Sequence, residues 1–173
     1  MRFDDVWMQP WQTGILSDLA RESSGVGATI EIGTHQGLSA IPIANAIEPK
    51  ILHVVDHWEG STDFRDYMRI RDNYSIFLDN IAEGTRGNID IHKQDWHDFA
   101  EEWRDPIGFL HLDAEHTADE VAAQIYTFRR YMPEGSVLAG DDYNWPGVRA
   151  GVLVHFRPGQ VHVMHNKLWW VMF

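Results

Sequence analysis

Residues 28–39 combine a strand pattern, two glycines and the start of a helical pattern, and this combination limits what the chain can fold into. The run 28–32 is apolar except at Glu31, which is typical of a strand buried on both faces. Gly33 and Gly37 follow, and glycine permits a tight turn through which the backbone approaches a ligand closely. A helix that begins after the turn directs N–H groups to the same place. The stretch therefore predicts a strand–turn–helix unit that binds a small polar molecule.

Asp56 favours a nucleoside as that molecule. It ends the next apolar run, 51–56, about 20 residues after the turn, where a carboxylate that holds ribose hydroxyls is expected. The spacing Gly-x-x-x-Gly alone does not decide the matter, because many such turns carry two glycines for geometric reasons. Ser39 is predicted to cap the helix after the turn, and Pro42 lies in its first turn. The turn and the acid together predict a nucleoside cofactor.

Strand and helix patterns alternate along the chain. The strand patterns cover 28–32, 51–56, 89–93, 107–112, 136–140, 160–164 and 168–173, and the helical patterns cover 11–21, 39–47, 70–81, 96–103, 117–132 and 148–156. Parallel neighbouring strands need crossover connections, so the first five alternations predict an α/β fold with a mostly parallel sheet and helices on both faces. The first helix is expected to cover an edge of the sheet or the mouth of the cofactor site.

The last two strand patterns are joined by a short turn at 165–167 and predict an antiparallel hairpin. The final run is apolar throughout, so we expect an interior strand and a buried Phe173. The long connection over 57–88 begins with a turn-rich segment, and it is either a lid over the site or a plain crossover helix. His53, His111, His155 and His162 are interpreted as strand or surface residues.

The net charge and the absence of cysteine exclude some kinds of partner and site. A formal net charge of −12 repels phosphate backbones, so we do not expect nucleic acid as a partner. The absence of cysteine excludes disulfides, thiolate zinc sites and cysteine nucleophiles. No apolar stretch has the length of a membrane span, and the first residues lack the order of a signal peptide. A cytoplasmic protein without a membrane partner is expected.

Acidic residues follow the predicted strands at the edge where their carboxyl ends meet. They are Asp56, Asp95, Asp113, Asp141 and Asp142. Each one alone is also explained as a helix cap or a loop residue, and Asp95 stands where an N-cap is expected. The last three follow two strands that we expect to be neighbours, so their carboxylates repel one another unless a cation lies between them. Oxygen ligands favour Mg²⁺, with Mn²⁺ or Ca²⁺ as alternatives.

Four segments, in this order, resemble the class I S-adenosylmethionine-dependent methyltransferases. They are Glu31-Ile-Gly33-x-x-x-Gly37-x-Ser39, Val55-Asp56-x-Trp58-Glu-Gly60, Leu110-His-Leu-Asp113-Ala-Glu-His116, and Asp141-Asp-Tyr143 with Trp145-Pro-Gly147. The branch they are most similar to is the metal-dependent sugar O-methyltransferases of the macrocin and mycinamicin type. The resemblance implies a Rossmann-like, seven-stranded sheet in the order 3-2-1-4-5-7-6. It further implies one domain over 1–173, with an N-terminal helix and linker at 1–27 and the core at 28–173.

The resemblance also implies roles for individual residues. Glu31, Gly33 and Gly37 would line the methionine end of the cofactor, Asp56 would hold the ribose, and Asp95 with Trp96 would border the adenine. The remaining cofactor-binding positions are Thr34, Ser39, Trp58 and Asp113. The metal ligands would be Asp113, Asp141 and Asp142. His116 would be the general base and would share the catalytic role with Asp113.

The expected activity is a Mg²⁺-dependent, or Mn²⁺-dependent, O-methylation of a hydroxylated small molecule such as a sugar or diol. One alternative is an NAD-dependent oxidoreductase, which would use the same turn and Asp56 but needs no cluster of three acids. Another is a methyltransferase-like domain that binds without catalysing. Relatives that act on macrolide sugars carry extra N-terminal domains, so the sequence leaves the methyl acceptor open, together with the oligomeric state.

Overall fold

The structure is a computed structural model that describes residues 1–60 and 71–173. Its sheet has the strand order β3-β2-β1-β4-β5-β7-β6, as the resemblance predicted. The strands are β1 (Ala28–Ile32), β2 (Leu52–Val55), β3 (Ile89–His92), β4 (Ile107–Leu112), β5 (Val137–Gly140), β6 (His162–Met164) and β7 (Leu168–Met172). The first five run parallel, while β7 is antiparallel to both β5 and β6. The terminal hairpin therefore extends the sheet past β5.

Six helices of the described residues cover this sheet. They are α1 (Pro10–Ser23), α2 (Ala40–Ile47), α3 (Asn73–Gly84), α4 (Trp96–Glu102), α5 (Ala118–Phe128) and α6 (Pro146–His155). Asp95 and Thr117 cap α4 and α5 with their side chains, because each accepts a hydrogen bond from a first-turn N–H group. A 3₁₀ turn at Arg129–Tyr131 follows α5, so this helix ends earlier than the predicted 117–132.

The helices form apolar layers on both faces of the sheet. On one face, α1, α2 and α3 bury Leu16, Ile43 and Phe77 against the strands. On the other face, α4, α5 and α6 bury an equivalent set that includes Phe99 and Ile125. The sheet is thus covered on both sides, and its parallel strands end together at one edge, where the connecting loops are free to form a site.

Three local predictions need correction. Helix α1 was predicted at an edge of the sheet or at the mouth of the site. It packs on α2 and against β4 and β5, so it covers a face of the sheet rather than an edge, and its Gln12 also hydrogen-bonds Asp141. Ser39 makes no side-chain cap, and α2 begins after a turn that is held by backbone bonds. Phe173 is half-buried, yet its backbone N–H and C=O bond to Ser136 and Gly135. The end of the chain is therefore fastened to the loop before β5.

The connection between β2 and β3 was predicted to be either a lid or a crossover. Its helix α3 is a crossover helix, with Phe77 fully buried and Tyr74 and Ile81 partly buried, as the helical pattern indicated. Ile70, the first residue of that pattern, lies outside the described residues, as do the other positions of 61–70. Within the described ranges, none of the helices combines the length and the apolar character needed to cross a bilayer.

Candidate active site

A cavity of about 900 Å³ opens at the carboxyl edge of the sheet, and we call it the carboxyl-edge cavity. Loops after β1, β2, β3, β4 and β5 line it, together with residues 5–8 and Lys167 of the hairpin turn. Most of the predicted site residues lie on its wall: Gly33, Thr34, Ser39, Asp56, Trp58, Asp95, Trp96, Asp113, His116, Asp141 and Asp142. The structure therefore brings together residues that are up to 109 positions apart in the sequence, counted from Gly33 to Asp142.

Asp56 fastens the glycine turn to the end of β2. Its Oδ2 accepts hydrogen bonds from the backbone N–H groups of Thr34 at 3.0 Å and His35 at 2.9 Å. Its Oδ1 accepts from the backbone N–H of Trp58 at 2.6 Å. This carboxylate thus binds two N–H groups of the turn itself, whereas the N–H groups predicted to face a ligand are those of the helix that follows the turn. A carboxylate offers about four lone-pair sites, and these three bonds use two on Oδ2 and one on Oδ1, so Oδ1 keeps one acceptor site for a ligand.

Glu31 and Gly37 are not among the residues that line the cavity, and their place at the methionine end of the cofactor stays a prediction. Gly37 has a φ of +87°, and a Cβ there would lie 3.1 Å from the ring of Phe77, so its small size serves helix packing. Glu31 is fully buried beneath the cavity. Its Oε1 lies 2.9 Å from Nδ1 of His111, and its Oε2 accepts from the hydroxyl of Thr34 at 2.8 Å. Glu31 therefore supports the turn from below.

Gly33 fulfils the expectation of a tight turn. Its φ is +85°, and a Cβ at this position would lie 2.4 Å from the backbone carbonyl oxygen of Asp113. The turn after β1 thus packs directly on the loop after β4. Three cavity residues other than glycine also have positive φ angles: His35 at 48°, Trp58 at 58° and Asp142 at 56°. Such conformations are uncommon outside glycine and concentrate at functional sites.

The far end of the cavity is formed by the start of α4. Asp95 accepts a hydrogen bond from the backbone of His97 at 2.8 Å and lies 2.6 Å from its Nδ1. Although partial burial raises the pKa of Asp95, the contacts with His97 leave this pKa below its usual range. The indole of Trp96 stacks on His97, with ring centroids 3.7 Å apart. Asp95 thus combines the capping role and the position at the cavity wall that the sequence left as alternatives.

The three predicted metal ligands meet at the opposite end. Asp113, Asp141 and Asp142 each offer a carboxylate oxygen, and these atoms lie within 4.8 Å of one another. Lys167 contacts two of them, with its Nζ 3.0 Å from Asp141 and 3.1 Å from Asp142. Gln12 of α1 donates to Oδ1 of Asp141 at 2.7 Å. One ammonium group therefore faces three carboxylates.

The proton affinities of these groups reflect this excess of negative charge. Burial, followed by the charges of Asp141, Asp142 and Glu31, raises the pKa of Asp113 well above its usual range. Burial and Asp142 also raise the pKa of Asp141, although Lys167 opposes the shift. For Asp142, the hydrogen bonds from His116 and Lys167 outweigh burial, so its pKa is lowered. The innermost carboxylates are therefore the ones that a further positive charge would stabilise most.

His116 lies beside this cluster. Its Nε2 is 3.1 Å from Oδ2 of Asp142, and its ring stacks on Trp145 with centroids 4.7 Å apart. Gly147, in the first turn of α6, packs against the backbone of His116, where a Cβ would lie 2.0 Å from its carbonyl oxygen. The imidazole is thus fixed by a carboxylate, an indole and a close backbone contact. Its role as a general base stays a prediction.

Sequence reasoning missed several cavity residues. Lys167 lies in a hairpin turn and carried no sequence signal. Gln12, which does not line the cavity but donates to Asp141 on its wall, did carry a signal, because it shares a helical face with the buried Leu16 of α1. Residues 5–8 approach the cavity from the N-terminus, and Trp7 stacks on His35 with ring centroids 5.2 Å apart. Part of the site is therefore built by chain segments outside the strand–helix pattern.

Residues 30–143, more than half of the chain, match the family described as Methyltransferase domain. One curated protein, the 1,4-alpha-glucan branching enzyme GlgB 2 of Streptomyces coelicolor, is 25% identical over 140 residues. These residues are 79% of this chain and 17% of that protein, so the chain spans less than a fifth of this relative's length.

Solved structures share the fold. An O-methyltransferase from Bacillus cereus in complex with SAH has a TM-score of 0.70 at 18% identity, over 99% of this chain and 84% of that chain. CalS11, a TDP-rhamnose 3'-O-methyltransferase of calicheamicin biosynthesis, has a TM-score of 0.65 at 14% identity, over 95% and 81% of the two chains. Together with the match over 30–143, they confirm the resemblance and the fold expected from it. The chain therefore belongs to the methyltransferase-domain family and carries the class I methyltransferase fold.

Proposed function

We propose that this chain transfers the methyl group of S-adenosylmethionine to a hydroxyl oxygen of a small molecule, with the help of a divalent cation. The observation that carries the proposal is the meeting of His116 and three carboxylates at one wall of the carboxyl-edge cavity, next to the Gly33 turn. The proposal treats residues 1–173 as one methyltransferase-like domain.

The cavity suits S-adenosylmethionine in size and in chemistry. Its volume of about 900 Å³ falls in the range of small-molecule sites. Asp56 supplies a carboxylate for the ribose, and Trp96 supplies an apolar ring for the adenine. Among the described residues, the side-chain nitrogen of Gln94 is buried at this wall without a hydrogen-bond partner. An adenosine group would offer the acceptor atoms that this amide lacks.

The acidic cluster suits a hard divalent cation. Asp113, Asp141 and Asp142 offer converging oxygens, which are the ligands that Mg²⁺ and Mn²⁺ prefer. Lys167 leaves the negative charge of the cluster incompletely balanced. In our proposal these three carboxylates hold the cation, and the ammonium of Lys167 competes with it for Asp141 and Asp142.

The residues of the chain then have distinct tasks. Bound S-adenosylmethionine supplies an electrophilic methyl group, and a bound Mg²⁺ or Mn²⁺ makes a hydroxyl more acidic. Transfer breaks the bond from sulfur to methyl and forms the bond from methyl to the acceptor oxygen, in line, so alignment by the cavity walls contributes much of the rate. His116 accepts the hydroxyl proton, and Asp142, 3.1 Å away, stabilises the imidazolium that results.

A hydroxylated small molecule, such as a sugar or a diol, is the acceptor class that we propose. Two neighbouring oxygens of a diol suit a cation held by carboxylates, since both can bind to it. The TDP-rhamnose methyltransferase among the similar structures acts on a sugar, which supports this class. In the same proposal the protein acts in the cytoplasm and binds neither membrane nor nucleic acid.

We expect calorimetry to detect binding of S-adenosylmethionine and of its demethylated product. Asp56→Asn should weaken both by on the order of ten- to a hundredfold, because the ribose loses charge-assisted hydrogen bonds and the turn loses an acceptor. Asp79→Asn, at an exposed position of α3, removes the same charge and should leave the affinity unchanged. Binding of NAD in place of both nucleosides would favour the oxidoreductase alternative. Binding of none of the three would overturn the cofactor assignment.

We expect turnover to require a divalent cation and to return, after chelation, on addition of Mg²⁺ or Mn²⁺. Asp141→Asn and Asp142→Asn should each weaken Mn²⁺ binding at least about tenfold, because each removes a charged ligand. Lys167→Met should instead strengthen it, since the competing ammonium is gone. Electron paramagnetic resonance of Mn²⁺ measures all three variants without an acceptor substrate. If Mn²⁺ affinity is the same in the two aspartate variants as in the parent, the acids are not ligands.

A further inference from the structure

A second cluster of metal-binding side chains lies outside the carboxyl-edge cavity, and we call it the edge triad: His53, Asp90 and His92. His53 belongs to β2, while Asp90 and His92 belong to β3, the outermost strand of the sheet at this side. His53 pairs with Asp90 in the strand register, and His92 lies two residues further on the same face. None of the three lines the cavity.

The three donor atoms of the edge triad form a nearly equilateral triangle. Nδ1 of His53 lies 3.2 Å from Nε2 of His92 and 3.3 Å from Oδ2 of Asp90, and the third side measures 3.4 Å. A tetrahedral zinc ion with bonds of about 2.0 to 2.1 Å places its ligand atoms about 3.3 to 3.4 Å apart. The observed spacing therefore matches the face of a zinc tetrahedron.

Hydrogen bonding without a metal satisfies this triangle in one way only. Both imidazoles then donate to Asp90 Oδ2, and the 3.2 Å contact between their nitrogens is not itself a bond. If one imidazole donates to the other, the contact of the acceptor nitrogen with the carboxylate brings two lone pairs together. A cation at the centre satisfies all three atoms at once, because each of them then acts as a lone-pair donor.

The surroundings hold the two rings in place. His53 contacts Trp103 edge-on, with centroids 5.1 Å apart, and His92 contacts Phe99 of α4 at 4.8 Å. The side chains of His53 and His92 are 22% and 25% exposed, and that of Asp90 is 55% exposed. The rings are thus ordered by packing, while all three side chains are partly exposed, so a water molecule can supply a fourth ligand.

We propose that the edge triad binds a divalent transition-metal ion, zinc in the first place, and that this ion fastens the edge strand β3 to β2. Two imidazoles and one carboxylate suit zinc and its first-row neighbours, whereas Mg²⁺ prefers oxygen ligands. This site is independent of the function proposed above, because it shares no residue with the carboxyl-edge cavity. The absence of cysteine excludes only zinc sites with thiolate ligands, so it is compatible with a zinc site made of two histidines and an aspartate.

The test is a titration of metal-free, full-length protein with Zn²⁺. We use the double variant Asp141→Asn with Asp142→Asn, which removes most of the acidic cluster as a competing site. We expect one Zn²⁺ per chain, no comparable binding of Mg²⁺, and an affinity at least tenfold lower after His53→Gln or His92→Gln. His162→Gln, at an exposed strand position, is the matched control and should change nothing. At about a hundred times the dissociation constant, Zn²⁺ should raise the melting temperature by about 5 to 10 °C.

Several results would overturn the proposal. One is the absence of Zn²⁺ binding by the double variant, and another is an equal affinity in the two histidine variants and the His162→Gln control. Circular dichroism checks that each variant folds. If a histidine variant fails to fold, Asp90→Asn replaces it, because this side chain is more than half exposed and its loss removes a ligand without opening the core. An unchanged Zn²⁺ affinity in a folded Asp90→Asn variant would also count against the site.

Discussion

Replacing His116 with alanine is expected to lower the turnover number by about 10² to 10⁴ while cofactor affinity stays nearly unchanged. The imidazole lies beside the acidic cluster, 3.1 Å from Asp142, and is stacked on Trp145. In the proposed reaction, removing it deprives the acceptor hydroxyl of its base while the new bond to oxygen forms. The acid limb of the pH–rate profile should disappear together with the lost activity.

The pH–rate profile separates this role from a structural one. His162→Ala, on the exposed strand β6, is the control and should keep both the turnover number and the acid limb. A merely structural His116 would, on replacement, alter melting temperature and cofactor affinity together with turnover. A folded His116→Ala protein with the parent turnover and the same acid limb would contradict the assignment. The proton would then leave by another route.

The fold was predictable from the sequence because its signals are local. The strand patterns 28–32 and 107–112 coincide with β1 and β4, and both strands are buried as their apolar composition indicated. Strand order across the sheet was not local information, and it came from the resemblance. The end of α5 was placed too late, because Met132 continues the apolar spacing although the chain has changed to a 3₁₀ turn. Spacing reports which residues are buried more reliably than where a helix stops.

Site residues that follow the ends of strands could be predicted from the sequence. Residues that reach the site from a hairpin turn or the N-terminus, or that meet only through the strand register, could not. Asp113, Asp141 and Asp142 meet as expected, because adjacent parallel strands deliver their following residues to one edge. Lys167 contacts two of them from a hairpin turn, and no periodic pattern in the sequence predicts such a contact. The edge triad depends on the register of β2 and β3, and of its two histidines only His53 was interpreted from the sequence, as a strand or surface residue. Side chains that meet across strands become visible only once the register is known.

The contact between Glu31 and His111 also depends on strand register, and we expect its loss to destabilise the fold strongly. The register of β1 and β4 places Glu31 directly opposite His111. Both side chains are fully buried, with Oε1 of Glu31 2.9 Å from Nδ1 of His111. A charged residue in one apolar strand and a histidine in another were each visible in the sequence. Their pairing was not visible, and the resemblance alone placed Glu31 at the methionine end of the cofactor.

Glu31→Leu is expected to lower the free energy of unfolding by about 3 to 5 kcal/mol, because it leaves His111 buried without its partner. His111→Leu should lower the free energy of unfolding by a similar amount, because it leaves the carboxylate of Glu31 buried without its partner. The double variant should recover much of the loss, since replacing a buried polar pair by apolar side chains of similar volume is often nearly neutral. Urea denaturation of the four proteins measures this cycle, and Glu22→Leu, at an exposed position of α1, should have little effect. Losses that simply add in the double variant would show that the two side chains stabilise the fold separately, and that the short contact between them carries no coupling.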